Sequence, residues 1–122
     1  MPGHVMLIED EANIAEAIRF ILSRDGWKVS VETDGLQAMA AVAQGQPDLL
    51  ILDLMLPGKS GLEILIELRA DPGTAALPVL MLTAKGQGRD REAAERAGVS
   101  AFMTKPFDNS EMRATVRALL GD

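Results

Sequence analysis

Three acidic residues in a row, Glu9-Asp10-Glu11, and an isolated acid, Asp53, each follow a short apolar run. The first run is Val5 to Ile8 and the second is Leu49 to Leu52. Thr83 follows a third run, Val79 to Leu82, and Lys105 follows a weaker one at Ala101-Phe102-Met103. Grouped carboxylates repel, so a site made of them must hold a proton or recruit positive charge. Lys105 supplies one charge, and a divalent cation would supply the rest. The ligands on offer are oxygens, with no Cys and a single His (His4) in the chain. A hard ion such as Mg2+ therefore fits, and zinc or copper does not. A nucleophilic carboxylate, a hard cation, a Lys and a Thr hydroxyl are the working parts of phosphoryl transfer. Taken singly, each residue also has an ordinary reading. Asp53 could start a turn, Glu9-Asp10-Glu11 could be a solvated turn, and Lys105 could be a surface charge. The readings part on whether the chain brings these residues together.

Short continuous apolar runs suit strands buried on both faces, as in a parallel sheet. Between them lie segments with helical spacing. Asn13 is expected to cap the first helix, with Glu16 completing the pair, and Ile14, Ala17, Ile18, Ile21 and Leu22 fall at helical spacing. Gly26 ends it. Trp27 to Val31 alternates apolar and polar, which predicts a half-exposed edge strand. Thr33-Asp34-Gly35 turns the chain into a second helix carrying Leu36, Met39, Ala40, Val42 and Ala43. Pro57, Gly58 and Gly61 form a loop before a third helix with Leu62, Leu65, Ile66 and Leu68, ended by Asp71-Pro72-Gly73. Gly86 and Gly88 open a fourth helix with the small residues Ala93, Ala94 and Ala97. Asp108 or Asn109 caps a fifth, with Met112, Val116 and Leu119 inward.

Five strands alternating with five helices predict a parallel sheet covered on both faces. If its order is 2-1-3-4-5, a known arrangement of doubly wound sheets, strands 1 and 3 are neighbours at the switch point. Glu9, Asp10 and Asp53 then meet in one crevice, and Thr83 and Lys105 reach the same rim.

Composition narrows the function further. At 122 residues the chain is expected to be one domain, residues 1–122. No run reaches the ~18 apolar residues of a membrane span, and Met1-Pro2-Gly3-His4 lacks the basic-then-apolar pattern of a signal peptide. With no Cys to oxidise, a cytoplasmic location is expected. The net charge of −6, with scattered Lys and Arg, speaks against direct nucleic-acid binding. Three Phe, one Trp and no Tyr leave little for stacking on bases or flavins.

The motifs Ile8-Glu9-Asp10-Glu11, Leu52-Asp53-Leu54-Met55-Leu56-Pro57-Gly58, Leu82-Thr83-Ala84 and Phe102-Met103-Thr104-Lys105-Pro106-Phe107 stand in that order along the chain. Together they closely resemble the receiver domain of two-component response regulators, from Val5 to about Leu120. The resemblance implies a flavodoxin-like (βα)5 domain with sheet order 2-1-3-4-5. It implies Asp53 as phosphoacceptor, Asp10 as a direct Mg2+ ligand, Glu9 acting through a water, and Met55 lending its backbone carbonyl. Thr83 becomes the switch hydroxyl, Phe102 the switch aromatic, and Lys105 the phosphoryl contact, with a cis Lys105–Pro106 bond. The implied donor is a sensor histidine kinase or histidine phosphotransfer protein. The implied output is an attached effector domain or downstream protein, reached through the surface of the fourth helix, fifth strand and fifth helix, with the domain a monomer or weak dimer. Such a domain is a signalling module that catalyses only its own phosphorylation and dephosphorylation. A haloacid dehalogenase-like aspartyl phosphatase would need a second Asp where Met55 stands. A flavodoxin-like carrier would need a phosphate-binding loop where Glu9-Asp10-Glu11 stands. A receiver used only as an interaction module would not need the full acidic set.

Overall fold

A computed structural model describes residues 3–84 and 88–121. Among the described residues the strands are β1 (His4–Ile8), β2 (Lys28–Glu32), β3 (Leu49–Asp53), β4 (Val79–Ala84) and β5 (Ala101–Lys105). All pairings are parallel and the order is β2-β1-β3-β4-β5. The helices are α1 (Ala12–Arg24), α2 (Ala38–Gly45), α3 (Gly61–Ala70), α4 (Gly88–Ala97) and α5 (Asn109–Leu120). β3 is buried along its whole length, as its unbroken apolar run requires.

Alternate strand residues feed two cores. Val5, Leu7, Leu49, Ile51, Leu80, Leu82 and Met103 pack under α1 and α5, against Ile18, Leu22, Met112 and Val116. Met6, Ile8, Leu50, Leu52, Val79 and Met81 pack under α2, α3 and α4, against Val42, Ile64, Leu65, Leu68 and Ala94.

Several expectations are corrected by local geometry. β2 starts at Lys28, not Trp27. Trp27 belongs to the end of α1: its N–H donates to Leu22 O and that of Gly26 to Ser23 O. With Gly26 at φ 93° this is a Schellman cap, which carries Trp27 into the core beneath α1. Asn13 does not cap α1. The helix starts at Ala12 behind Glu11, whose side chain makes no cap bond and lies instead 3.5 Å from Lys105 Nζ. The second helix is split into a 3-10 turn, Gly35–Gln37, and α2, which leaves Leu36 64% exposed. Gly61 is the first residue of α3, and Ser60 with Glu63 forms a capping box before it. Ile64 is buried, while Ile66 is exposed. β5 runs two residues beyond Met103, so Lys105 is its last residue, paired with Ala84. Asp108, not Asn109, caps α5. On α4, Ala94 is buried and Ala93 and Ala97 are partly so. Gly86 lies outside the described residues.

The acidic rim of the sheet

Four strands deliver the predicted residues to one edge. β1 ends below Glu9 and Asp10, β3 ends on Asp53, β4 carries Thr83 next to its last residue, and β5 ends on Lys105. Since β1 and β3 are neighbours, carboxylate oxygens of Glu9, Asp10 and Asp53 all lie within 4.8 Å of one another. Glu9 and Asp53 are buried, whereas Asp10 faces solvent. Lys105 Nζ lies 3.4 Å from Asp53 Oδ1, 3.6 Å from Glu9 Oε1 and 3.5 Å from Glu11 Oε1. One ammonium thus serves three carboxylates, none at close hydrogen-bonding range.

Backbone shape holds Asp53 in place. The chain leaves β3, and the N–H of Gly61 returns to donate to Leu54 O at 2.9 Å. A Cβ at Gly61 would collide with the carbonyl oxygen of Asp53. Glycine is therefore required for α3 to start against the strand end. The Met55 N–H lies 3.4 Å from Asp53 Oδ1, and the Met55 side chain is exposed. The Lys105–Pro106 peptide bond is cis.

The electrostatics match the crowding. Burial pushes the Glu9 carboxyl up to about 7, and the adjoining Asp53 carboxylate adds to it. The Glu11 N–H, donating to Glu9 Oε2 at 3.1 Å, and the Lys105 ammonium pull the other way. Burial works against the Lys105 ammonium, yet Asp53, Glu9 and Glu11 hold it above the ordinary lysine value. Three buried polar atoms lack a hydrogen-bond partner among the described residues: Trp27 Nε1 and, at the rim, Glu9 Oε1 and Thr83 Oγ1. An orphaned buried oxygen is costly. The all-oxygen donor set, its excess negative charge and a Glu9 oxygen with only the distant Lys105 contact fit a hard divalent cation.

Strand parity separates the remaining residues. Glu9, Asp53 and Lys105 fall on the parity of the α1/α5 core. Thr83 falls with Val79 and Met81 on the α2–α4 side. Phe102 pairs with Met81 and Thr104 with Thr83, so Phe102 is the diagonal neighbour of Thr83 on that side. Its ring is partly buried against the α2–α4 core, and Arg91 of α4 stands 5.5 Å from the ring centroid.

Two residues of this neighbourhood escaped the reading of the sequence. Arg69, at the end of α3, donates to Gly98 O at 2.8 Å and Leu77 O at 2.7 Å, tying α3 to the turns flanking β4 and β5. Arg91 meets Phe102 only because α4 packs on the sheet face that carries Phe102. Nothing in their local sequence marks either. Ser60 and Glu63, by contrast, form a legible Ser-x-x-Glu signature.

The response regulator receiver domain profile matches residues 5–117. The DNA-binding dual master transcriptional regulator RpaA of Synechocystis sp. is 43% identical over 116 residues, which cover 95% of this chain and 48% of that protein. The chain spans about half the length of the curated relatives it matches. A crystal structure of a Chloroflexus aurantiacus protein superposes over the whole of both chains with a TM-score of 0.95 at 31% identity. The receiver domain of sensor histidine kinase PA1611 from Pseudomonas aeruginosa, which holds a magnesium ion in its active site cleft, covers all of both chains with a TM-score of 0.90 at 27% identity.

Proposed function

The chain belongs to the response regulator receiver domain family, and on that premise we propose that Asp53 accepts a phosphoryl group from a phosphohistidine donor. The observation that carries this reading is the convergence of Glu9, Asp10 and Asp53 at one rim with Lys105 Nζ 3.4 Å from Asp53. Asp53 is the nucleophile. One of its carboxylate oxygens bonds to phosphorus, the bond from phosphorus to the donor imidazole breaks, and the chain is left with an acyl phosphate. Asp10 and Asp53 would hold Mg2+ directly, with the Met55 carbonyl, and Glu9 would act through a water. The ion, when bound, neutralises negative charge on the transferring group. Lys105 adds its own charge beside Asp53, and the free Thr83 hydroxyl donates to a phosphoryl oxygen. Movement of Thr83 opens space beside Phe102, and the ring follows it inward. The surface of α4, β5 and α5 changes with it.

The donor is a sensor histidine kinase or a histidine phosphotransfer protein. A mostly apolar groove of about 540 Å³, lined by Ile14, Ala17, Ile21, Lys105, Pro106 and Phe107, opens beside the rim and suits such a protein. The family is one of signalling domains, and catalysis by residues 1–122, read as one domain, is confined to forming and hydrolysing its own phosphoryl bond. The output passes to an effector domain or a downstream protein. The net charge of −6 leaves any contact with DNA to another module. Among the described residues no helix is long and apolar enough to cross a membrane. A cytoplasmic monomer or weak dimer accords with these features.

The test is incubation with acetyl phosphate and Mg2+, followed by intact mass measurement. One hydroxylamine-labile phosphoryl group on the wild type and none on Asp53→Ala is the expected result. An adduct that survives Asp53→Ala, or none on either protein, overturns the reading.

A further inference from the structure

The contact between Arg91 and Phe102 has no part in phosphoryl transfer, yet it joins the least anchored helix to the residue beside Thr83. On α4, Ala94 is the fully buried side chain, and Arg91 lies one turn earlier on the same stripe. Small side chains beneath α4 leave the Phe102 ring room to lie at the edge of the α2–α4 core, where the Arg91 guanidinium stands 5.5 Å from its centroid. The Arg91 side chain is 58% exposed, and its nearest carboxylate contact, Glu95 on the same helix, is at 3.9 Å. Arg91 is thus not committed to a tight ion pair. Phe102 has no hydroxyl, so among the described residues its ring is held by packing and by this cation.

We propose that Arg91 is a latch: its guanidinium holds the Phe102 ring where it lies, at the edge of the core beside α4, and thereby opposes the phosphoryl-dependent switch. This rests on the switching part of the proposed function. A ring that turns toward Thr83 leaves the cation behind, so the contact stabilises the unphosphorylated arrangement alone. Whatever favours that arrangement must weaken the apparent affinity for a phosphoryl mimic by the same factor. A cation–π contact at an exposed site changes such an equilibrium by about two- to fivefold.

The direction of the effect makes the idea testable. Arg91→Gln keeps most of the side chain and removes the charge. Loss of a positive charge near the rim would by itself weaken binding of an anion. Loss of the latch would tighten it. Beryllofluoride is titrated with Mg2+ into wild type, Arg91→Gln, Phe102→Leu and the double variant. NMR of ring-labelled phenylalanine follows Phe102, assigned by its loss in Phe102→Leu.

The expected result is a shift of the Phe102 ring signal in unliganded Arg91→Gln, with beryllofluoride binding tightened about two- to fivefold. In the Phe102→Leu background, Arg91→Gln should tighten nothing. Arg91→Gln binding that is unchanged or weaker overturns the latch while leaving Asp53 phosphorylation standing. An equal gain in the Phe102→Leu background also overturns it, because the effect would not pass through the ring. Absence of any beryllofluoride binding in wild type overturns the proposed function and the latch with it.

Discussion

The two faces of the sheet are covered by helices held in different ways. Under α1 and α5, each helix sinks large side chains into the core: Ile18 and Leu22 from one, Met112 and Val116 from the other. The two are also tied by Asp25, which receives a forked contact from Arg113 at 2.9–3.1 Å and stands 3.9 Å from Arg117. On the opposite face α3 is as well anchored, with Ile64, Leu65 and Leu68 buried, a capping box at its start and Arg69 pinned at its end. Beside it α4 fully buries only Ala94 among its described residues. Glu9, Asp53 and Lys105 thus rise above the firmly packed face. Thr83 and Phe102 lie on the face with the lightly held helix. Reactive groups above firmly packed helices and switch residues beside a lightly packed one are the division of labour that a switch needs.

The sharpest way to break this contrast is to compare truncations in the two covers. Leu22→Ala under α1 and Leu68→Ala under α3 should each cost about 2–5 kcal/mol. Ala94→Gly should cost about 1 kcal/mol, the helix penalty alone. Urea unfolding measures all three. An Ala94→Gly cost equal to either leucine would show α4 to be as firmly seated as its neighbours.

The next effect tests how the firm face is strained at its rim. The Glu9 carboxyl, raised from 4.5 to about 7, binds its proton more tightly in the folded state than in the unfolded one. Its contribution is therefore fully present below pH 4.5 and is lost as pH rises through about 7. In metal-free protein the stability should fall over that window by roughly 3 kcal/mol, given ~1.4 kcal/mol per pKa unit. Glu9→Gln should flatten the profile. A slope that persists in Glu9→Gln assigns the loss to another group.

Hydrogen exchange gives a smaller and more local readout. Amides of α4 should exchange faster than those of α3, and beryllofluoride with Mg2+ should slow α4 while leaving α3 unchanged. Equal protection of the two helices in the free protein would remove the contrast. The smallest effect is expected for Arg113→Ala. Its pair with Asp25 lies at the surface, and the stabilisation should fade in high salt. The hydrogen bonds from Arg113 hold Asp25 below the ordinary carboxylate range, so what the pair contributes is lost as pH falls through that depressed value. A salt-independent loss would place the pair inside the core's energetics.

Much of this was legible in the chain itself. The unbroken run Leu49 to Leu52, bounded by Pro47 and Pro57, suits a strand covered on both sides, and the acids after two such runs carry their meaning in residue type. The alternation of strands and helices follows from apolar spacing, because period and burial are local properties. The misread boundaries share a different cause. Trp27 looked like a strand residue because alternation continues through it, but the αL turn at Gly26 commits the Trp27 N–H to Leu22 O. Asn13 looked like a cap, but Glu11 and the rim fix where α1 begins. In both cases hydrogen bonds made to complete a neighbouring element outweighed local preference.

What the sequence by itself determined is the list of reactive groups and the ends of the strands on which they sit. What tertiary structure decided is their company. Only the order β2-β1-β3-β4-β5 puts Asp53 beside Glu9 and Asp10 and within 3.4 Å of Lys105. Only the packing of α4 on the sheet face that carries Phe102 sets Arg91 beside its ring. The reason is physical. A residue's tendency to form a strand or helix depends on neighbours a few positions away, whereas desolvation and charge coupling depend on atoms a few ångströms away, from any part of the chain.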